Sequence, residues 1–181
     1  RILPSKLELK ESKSFFAQTK ELTVENLLAR SPKDLDRTKI REFLNNKKVL
    51  VTGAGGSIGS EIVRQCIEHG ADSLVMVDHS EFNLYELVDE LDSKGFSHGI
   101  PVMVSVRDKS TMSQVFQEHQ PEIVIHAAAY KHVPLCESNI QAAVKNNIVG
   151  TQNVVDLSIE FNVEKLVLIS TDKAVRPSNV M

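Results

Sequence analysis

The sequence has few cysteines and no arrangement of side chains that is typical of a metal site. Only two cysteines, Cys66 and Cys136, occur among 181 residues, and their spacing does not match a metal-binding pair. Two thiols in a chain of this size fit a reducing compartment without a disulfide framework. His126 and His132 have no third convergent ligand, so we expect no metal site.

Long apolar runs and an excess of charge are missing as well. No run of about 18 apolar residues is present, so the sequence predicts no transmembrane helix, and its start does not have the pattern of a signal peptide. The net charge of -3 and the pI near 6.1 give no global reason to expect nucleic acid or an anionic membrane surface as a partner. The sequence starts at Arg1 and stops at Met181 within its pattern, so we expect a piece of a longer protein.

The composition suits one globular domain with an appended arm. Hydrophobic residues make up 41% of the chain and charged residues 25%, which is enough for a core. We predict an extended or helical N-terminal arm over residues 1–45, with short helices that start near Thr23 and Asp36. A solvated linker and a docked arm both fit its polar pattern. The second region comprises residues 46–181.

Strand and helix patterns alternate from Lys47 onward. Several short β-rich runs are separated by segments with apolar residues at helical spacing, which predicts right-handed β-α-β crossovers. We therefore predict an α/β fold of the Rossmann type, a doubly wound parallel sheet of strand order 3-2-1-4-5 with ligands at the carboxyl ends of its strands. The predicted strands are 49–52, 73–78, 102–106, 122–126 and 165–170, and the predicted helices are 57–69, 82–91, 109–119 and a long one through 140–159.

The first predicted strand leads into a glycine-rich turn. Residues 49–59 read VLVTGAGGSIG, and glycine lets backbone N–H groups approach an anion closely. The helix that follows adds unpaired N–H groups and a positive dipole end. A P-loop is disfavoured because Ser60 and Glu61 follow the last glycine. The pattern favours a diphosphate site, with a tight turn that binds nothing as the alternative, at Gly53, Gly55, Gly56, Ser57, Ile58 and Gly59.

An acidic residue at the end of the second strand favours NAD over NADP. Asp78 is placed to accept hydrogen bonds from the adenosine ribose and to repel the additional phosphate of NADP. His79 and Ser80, which follow it, are also cofactor-binding candidates, and no lysine or arginine is adjacent. A simple helix cap is the alternative for Asp78. Further cofactor-binding candidates are Arg107 and Asp108, the second of which equally suits an N-cap, and Ala127, Ala128 and Ala129, for which tight packing is the alternative.

Two loops at the same edge of the predicted sheet carry titratable side chains. Lys131 and His132 follow the fourth strand and, taken alone, fit ordinary surface residues. Thr171, Asp172 and Lys173 follow the fifth strand. An aspartate beside a lysine can divide proton donation and proton removal when their environments separate their pKa values, and a surface ion pair in a turn is the alternative.

Together these segments resemble the extended short-chain dehydrogenase/reductase superfamily. The segments are TGAGGSIGSE at 52–61, VDHSEFNLYEL at 77–87, HAAAYKHVPLCE at 126–137, NNIVGTQN at 146–153 and STDKAVRPSNVM at 170–181. Within the superfamily they are similar to the polysaccharide-biosynthesis group, and most of all to the large bacterial UDP-N-acetylglucosamine 4,6-dehydratases. The resemblance covers residues 47–181 and places Asn147 among the cofactor-binding residues.

The resemblance implies a three-stage reaction on one tightly held NAD. The hydride at C4 of the sugar passes to the nicotinamide, water is eliminated across C5 and C6, and the hydride returns to C6. By the same resemblance, Asp172 protonates the departing C6 hydroxyl and Lys173 removes the C5 proton. Thr171 would hydrogen-bond near the C4 oxygen, and Lys131 would line the sugar pocket. Met181 stands where most of the superfamily has a tyrosine, and a thioether cannot accept the C4 hydroxyl proton.

The resemblance also implies features of the whole enzyme. A C-terminal sugar-nucleotide domain is missing from this sequence, and the parent is expected at the cytoplasmic face of the bacterial inner membrane as a homo-oligomer. The substrate would be a UDP-sugar of polysaccharide or glycoprotein glycan biosynthesis, and this part of the chain would contact neither membrane nor nucleic acid. The alternatives are a 4-epimerase of the same fold and, for the isolated fragment, a nucleotide-binding module without activity.

Overall fold

The computed structural model describes residues 35–96, 99–171, 174–177 and 179–180. The predicted arm over residues 1–45 therefore lies mostly outside the described residues. Its last part forms helix α1, Arg37–Leu44. Leu44 is buried, and Ile40 and Phe43 pack against the same core, as the spacing of these apolar residues predicts.

The described residues from Arg37 onward form one compact unit that is built around a parallel sheet. The sheet has five strands in the order β3-β2-β1-β4-β5, and each pair of neighbours is parallel. The predicted Rossmann-type architecture and its strand order are confirmed. The strands are β1 Lys48–Thr52, β2 Ser73–Asp78, β3 Gly99–Met103, β4 Ile123–His126 and β5 Lys165–Leu168.

The helices connect the strands and cover both faces of the sheet. After α1 they are α2 Ser57–Glu68, α3 Glu81–Ser93, α4 Lys109–His119, α5 Val133–Ser138, α6 Ile140–Ala143 and α7 Thr151–Glu160, with a π-helical segment, Val144–Gly150, between the last two. In the described part of the chain, none of these helices combines the length and the apolar character that crossing a bilayer requires.

Successive side chains of β1 pack on opposite faces of the sheet, as the pleat of a strand requires. Val49 and Val51 lie in a core with α1, α2 and α3. Leu50 lies in a second core with α4 and α7. All three side chains are 0% exposed, which explains why the central strands read as continuous apolar runs rather than as alternating ones.

The third strand is shifted relative to its prediction. It runs from Gly99 to Met103, so the predicted bounds of 102–106 were wrong. Met103 pairs with Asp78, the last residue of β2, and the ladder stops where its neighbour ends. Val106 lies beyond the strand, yet it is only 4% exposed and packs in the second core. A buried valine in a loop therefore gave the same signal as a strand residue.

The long helix predicted through 140–159 is interrupted by the π-helical segment. A π-helix has i→i+5 hydrogen bonds, is rare, and often occurs at functional sites. Here it places Asn146 at 5% exposure, and Asn153 in α7 is 7% exposed. The amides of both residues face inward, toward the ends of strands, rather than toward solvent.

The two cysteines are free thiols and lie on helices. Cys66 lies in α2 and Cys136 in α5, and both are buried. Burial raises the pKa of Cys66 to about 12, because an apolar environment disfavours the thiolate. The Cys66 thiol is therefore neutral and unreactive at ordinary pH.

The packing of β1 predicts a large effect of truncation in the core. We expect Leu50→Ala to lower the free energy of unfolding by about 2–5 kcal/mol, because it removes a fully buried side chain and leaves a cavity. Ile159→Ala is the matched control, since Ile159 is 73% exposed, and we expect less than about 0.5 kcal/mol there. Urea unfolding measures both, and equal effects would contradict the packing described.

Candidate functional site

A cavity of about 140 Å³ lies at the carboxyl ends of β1, β2 and β4. The strand order reverses between β1 and β4, and a doubly wound sheet binds its ligands at such a point. Seven predicted cofactor-binding residues line this cavity: Gly53, Gly56, Asp78, His79, Ala127, Ala128 and Ala129. The rest of its wall was not predicted and consists of Val77, Asn83, Val104, Ser105, Val106, Tyr130 and Asn146.

The glycine turn after β1 is too tight for larger residues. Gly53 has a φ of +68°, which is in the left-handed region that favours glycine. A Cβ at Gly53 would lie 2.7 Å from the carbonyl oxygen of Ala127. A Cβ at Gly59 would overlap the carbonyl oxygen of Gly53. Packing alone therefore requires these glycines, and both the diphosphate site and the tight structural turn fit them.

Helix α2 begins beside the cavity with N–H groups that a ligand can use. The helix has 12 residues and starts at Ser57, and its cap residue Gly56 makes no side-chain hydrogen bond. The first N–H groups of any helix have no partner within the helix, and its dipole attracts anions to that end. Ser57 and Ile58, which were predicted to bind a diphosphate, occupy this helix terminus.

Asp78 connects the glycine turn to the start of α3. Its carboxylate accepts hydrogen bonds from the N–H of Gly55 at 3.0 Å and from the N–H of Ser80 at 2.9 Å. The side chain is 6% exposed, and it keeps further lone pairs that can accept from a ligand hydroxyl. The N-cap of α3 is Ser80, whose side chain accepts from the N–H of Asn83. Asp78 is thus a buried negative group at the cavity wall and not itself the cap.

Arg107 and Asp108 lie just outside the lining of the cavity. Asp108 is the N-cap of α4, since its side chain accepts from the N–H of Thr111 at 3.1 Å. Hydrogen bonds from Thr111 also lower the pKa of the Asp108 carboxyl group. Arg107 donates from Nε to Oγ of Ser105 at 3.0 Å, and Ser105 does line the cavity. The N-cap interpretation of Asp108 is the one that its hydrogen bonds show.

The π-helical segment holds the loop that follows β4. The side chain of Asn147 accepts from the N–H of Tyr130 at 2.8 Å and donates to the carbonyl oxygen of Tyr130 at 3.0 Å. Asn146 donates to the carbonyl oxygen of Ala128 at 3.0 Å. Asn147, which was predicted to bind the cofactor, thus fixes the backbone of a residue that lines the cavity.

A buried imidazole joins the ends of β1 and β4 to the start of α7. Nδ1 of His126 lies 2.6 Å from Oγ1 of Thr52, and Nε2 lies 2.9 Å from Oγ1 of Thr151. His126 is 3% exposed, and burial lowers its pKa to about 4, because an apolar environment disfavours the imidazolium. At neutral pH one ring nitrogen donates and the other accepts, so both hydroxyl contacts are hydrogen bonds.

The candidates for sugar binding and proton transfer lie next to the first cavity or outside the described residues. Lys131 and His132 line a second, more apolar cavity of about 430 Å³, which shares Ala129 and Tyr130 with the first. Thr171 is exposed after β5. The remaining predicted catalytic residues, Asp172, Lys173 and Met181, lie outside the described residues. Within the part of the chain that is described, no three His, Cys, Asp or Glu side chains come together as a metal site requires.

Several residues of the cavity wall reach the cavity through contacts between distant parts of the sequence, and they were therefore not predicted. Asn83 lies close to the glycine turn only because Gly55 has no side chain. A Cβ at Gly55 would lie 2.6 Å from Cβ of Asn83. Asn146 reaches the cavity through the π-helical turn. For Tyr130 a signal existed, since it directly follows the selected run of alanines in the same loop.

Comparisons with known proteins point to one family. The family model described as "Polysaccharide biosynthesis protein" matches residues 49–181. The capsular polysaccharide biosynthesis protein CapD of Staphylococcus aureus is 48% identical over 165 residues, which cover 90% of this chain and 27% of that protein. A UDP-N-acetylglucosamine 4,6-dehydratase (inverting) of Campylobacter jejuni is 34% identical over 139 residues, which cover 76% of this chain and 40% of that protein. The chain thus spans less than half the length of these relatives.

A solved structure has the same fold. It is the UDP-glucose 4-epimerase of Thermus thermophilus in complex with NAD, which matches with a TM-score of 0.61 and 30% identity. The match covers 68% of this chain and 37% of the epimerase chain.

Burial of His126 predicts a stability that depends on pH. The folded chain keeps this imidazole neutral down to a pKa of about 4, whereas an unfolded histidine takes up a proton near pH 6.5. The unfolded state therefore binds more protons between these values, and the free energy of unfolding falls by about 3 kcal/mol as the pH is lowered through this window. Urea unfolding at a series of pH values measures it.

Two variants separate His126 from the other histidines. His126→Asn is expected to be less stable at pH 7, because it leaves the hydroxyl groups of Thr52 and Thr151 without this partner, and to lose the dependence on pH. His132→Asn, at an exposed loop position, is expected to keep that dependence. An unchanged slope in His126→Asn would contradict the assignment.

Proposed function

The chain belongs to the polysaccharide biosynthesis protein family, whose model matches residues 49–181, and from this premise we propose that the whole protein is a nucleotide-sugar 4,6-dehydratase. We propose further that it uses NAD and converts UDP-N-acetylglucosamine to the 4-keto-6-deoxy sugar, in the synthesis of bacterial polysaccharides or glycoprotein glycans. The observation that carries the proposal is a pair of adjacent cavities that share Ala129 and Tyr130, one beside the glycine turn and one beside Lys131.

The residues around the first cavity fit a dinucleotide. The uncapped start of α2 offers N–H groups to a diphosphate, and Gly53 permits the close approach of its backbone. Asp78 offers a buried carboxylate to the hydroxyls of the adenosine ribose. Ala127 and Ala128 have small side chains at the end of β4, which leave space for the nicotinamide half of the cofactor. When bound, NAD supplies the acceptor for the C4 hydride and its later return.

The elimination of water needs an acid at the C6 hydroxyl and a base at C5. We assign the acid to Asp172 and the base to Lys173, and the family resemblance supports this assignment. Thr171 follows β5 and Lys131 follows β4, and these two strands are parallel neighbours in the sheet. Both residues therefore lie at the carboxyl edge of the sheet. Because the thioether of Met181 cannot accept a proton, the C4 hydroxyl proton passes to Asp172 or to water.

The location and assembly of the protein complete the proposal. We place it at the cytoplasmic face of the inner membrane, as a homo-oligomer that takes a UDP-sugar. The family resemblance is the support for these statements.

A 4-epimerase is the second candidate function, because an epimerase bound to NAD shares the fold at 30% identity. An epimerase eliminates no water and needs no acid at C6. The adjacent Asp172 and Lys173 therefore favour the dehydratase. For the 181-residue chain alone, we expect cofactor binding without turnover.

The preference for NAD is tested at Asp78. We expect Asp78→Asn to reduce the ratio of NADPH to NADH dissociation constants about tenfold, because the charge that repels the additional phosphate is lost. The ratio is informative because a general loosening of the glycine turn weakens both cofactors alike. Asp89→Asn, which removes a carboxylate at an exposed position of α3 that does not line the cavity, serves as the control with an unchanged ratio. A ratio that does not change in Asp78→Asn would contradict the role of the carboxylate.

The reaction is tested with the full-length protein, NAD and UDP-N-acetylglucosamine. We expect a 4-keto-6-deoxy product and exchange of the C5 proton with deuterated solvent, both detected by NMR. Lys173→Met should slow the exchange by about 10²-fold or more, because the base is removed. Lys165→Met, at an exposed position of β5, is the control with unaltered exchange. A C4 epimer as product would establish the epimerase, and unaltered exchange in Lys173→Met would remove its role as base.

A further inference from the structure

The rings of His79 and Tyr130 meet at the cavity beside the glycine turn. Their centroids are 6.4 Å apart and their planes are inclined by 63°, which is an edge-to-face arrangement within the range of attractive aromatic pairs. Both residues line the cavity of about 140 Å³. This contact has no role in the reaction described so far.

The contact between the two rings connects the loop after β2 with the loop after β4, and we call it the bridge. His79 follows β2 and Tyr130 lies in the loop after β4, and these two strands flank β1. Strands separated by one other strand are about 10 Å apart, so the two side chains reach toward each other across the end of β1. The residue that follows β1 is Gly53, where the turn begins. A ligand on the glycine turn therefore lies next to the bridge formed by the two rings.

Hydrogen bonds hold the backbone of Tyr130, and His79 lies beside the buried carboxylate of Asp78. Asn147 holds the N–H and the carbonyl oxygen of Tyr130. Nδ1 of His79 lies 3.4 Å from a carboxylate oxygen of Asp78, and Asp78 is itself held by the N–H of Gly55. The side chain of His79 is 53% exposed and that of Tyr130 is half-buried. The rings can thus rotate away while the main chain stays in place.

The cavity beside the two rings is smaller than the pockets that usually hold cofactors. Pockets for small molecules and cofactors have volumes of about 300–1,000 Å³, more than the 140 Å³ found here. We propose that His79 and Tyr130 form a clasp, which opens to admit the dinucleotide and closes over it to slow its release. The inference rests on the proposed function in one respect, namely that the ligand is NAD.

A clasp suits the proposed reaction. The hydride that leaves C4 must return to C6 from the same cofactor molecule, so release between the two transfers would leave the sugar without its hydride. A ring pair that slows release would keep the reduced cofactor bound between the two hydride transfers. Tyr130 is then a cofactor-binding residue, in addition to the predicted His79.

Release of NADH from the full-length protein tests the clasp. The protein is loaded with NADH, excess NAD is added, and the loss of bound NADH fluorescence gives the dissociation rate. We expect Tyr130→Ala and His79→Ala each to speed release about two- to tenfold, the range that corresponds to the loss of one aromatic pair. The double variant should release no faster than the faster single variant, because the pair is lost only once.

Conservative variants separate the ring contact from other effects. Tyr130→Phe and His79→Phe keep both rings and should release NADH at the wild-type rate. Tyr85→Ala is a matched control, because Tyr85 is an exposed tyrosine of α3, at 67% exposure, that does not line the cavity. Thermal unfolding without cofactor should be unchanged in the two phenylalanine variants and in Tyr85→Ala. The two alanine variants should each lower the unfolding temperature slightly and by a similar amount, because each loses the same single ring pair.

Several outcomes would overturn the clasp. These are wild-type release from both alanine variants, effects that multiply in the double variant, release from His79→Phe as fast as from His79→Ala, and a wild-type protein that does not bind NADH. The proposed dehydration fails separately: NADH would then bind and leave at rates that depend on the two rings, while UDP-N-acetylglucosamine gives no 4-keto product.

Discussion

The close contact between the glycine turn and the loop after β4 is the constraint on which the site depends. A Cβ at Gly53 would lie 2.7 Å from the carbonyl oxygen of Ala127, and the N–H of Ala127 donates to the carbonyl oxygen of Thr52 at 3.0 Å. Because β1 and β4 are neighbours where the strand order reverses, this contact sets how far the crevice can open on one side. Any larger residue at Gly53 would push the two loops apart.

Buried polar side chains fix the same turn from both neighbouring strands. Asp78 at the end of β2 accepts from Gly55, and His126 at the end of β4 contacts Thr52 and Thr151. Each group is almost fully buried, so loss of a partner leaves an unsatisfied polar atom at a cost of about 1–3 kcal/mol. The binding loops therefore lose their conformational entropy during folding and not during binding, and such preorganisation favours tight binding of a ligand.

Much of the fold could be predicted because its signals are local. The bounds of β2 and α4 agree with their predictions, and the strand order follows from the rules for β-α-β units. The bounds of β3 and several residues of the cavity wall depend on tertiary contacts, which sequence patterns do not reveal. Burial of Val106 by α4 and α7 imitates a strand residue, and helical periodicity does not reveal the wider turn that brings Asn146 to the cavity. The contact of Tyr130 with His79 depends on how two loops meet, and the roles of Asp172, Lys173 and Met181 stay predictions.

Transfer of the C4 hydrogen within one sugar molecule tests whether a single cofactor molecule stays bound through the whole reaction. UDP-N-acetylglucosamine carrying deuterium at C4 is incubated with the full-length protein in ordinary water, together with unlabelled substrate, and the product is analysed by NMR and mass spectrometry. A cofactor held on the glycine turn through the whole reaction predicts that the deuterium appears at C6 of the same sugar. Loss of the label, its appearance in sugars that began unlabelled, or its return to C4 would contradict the account.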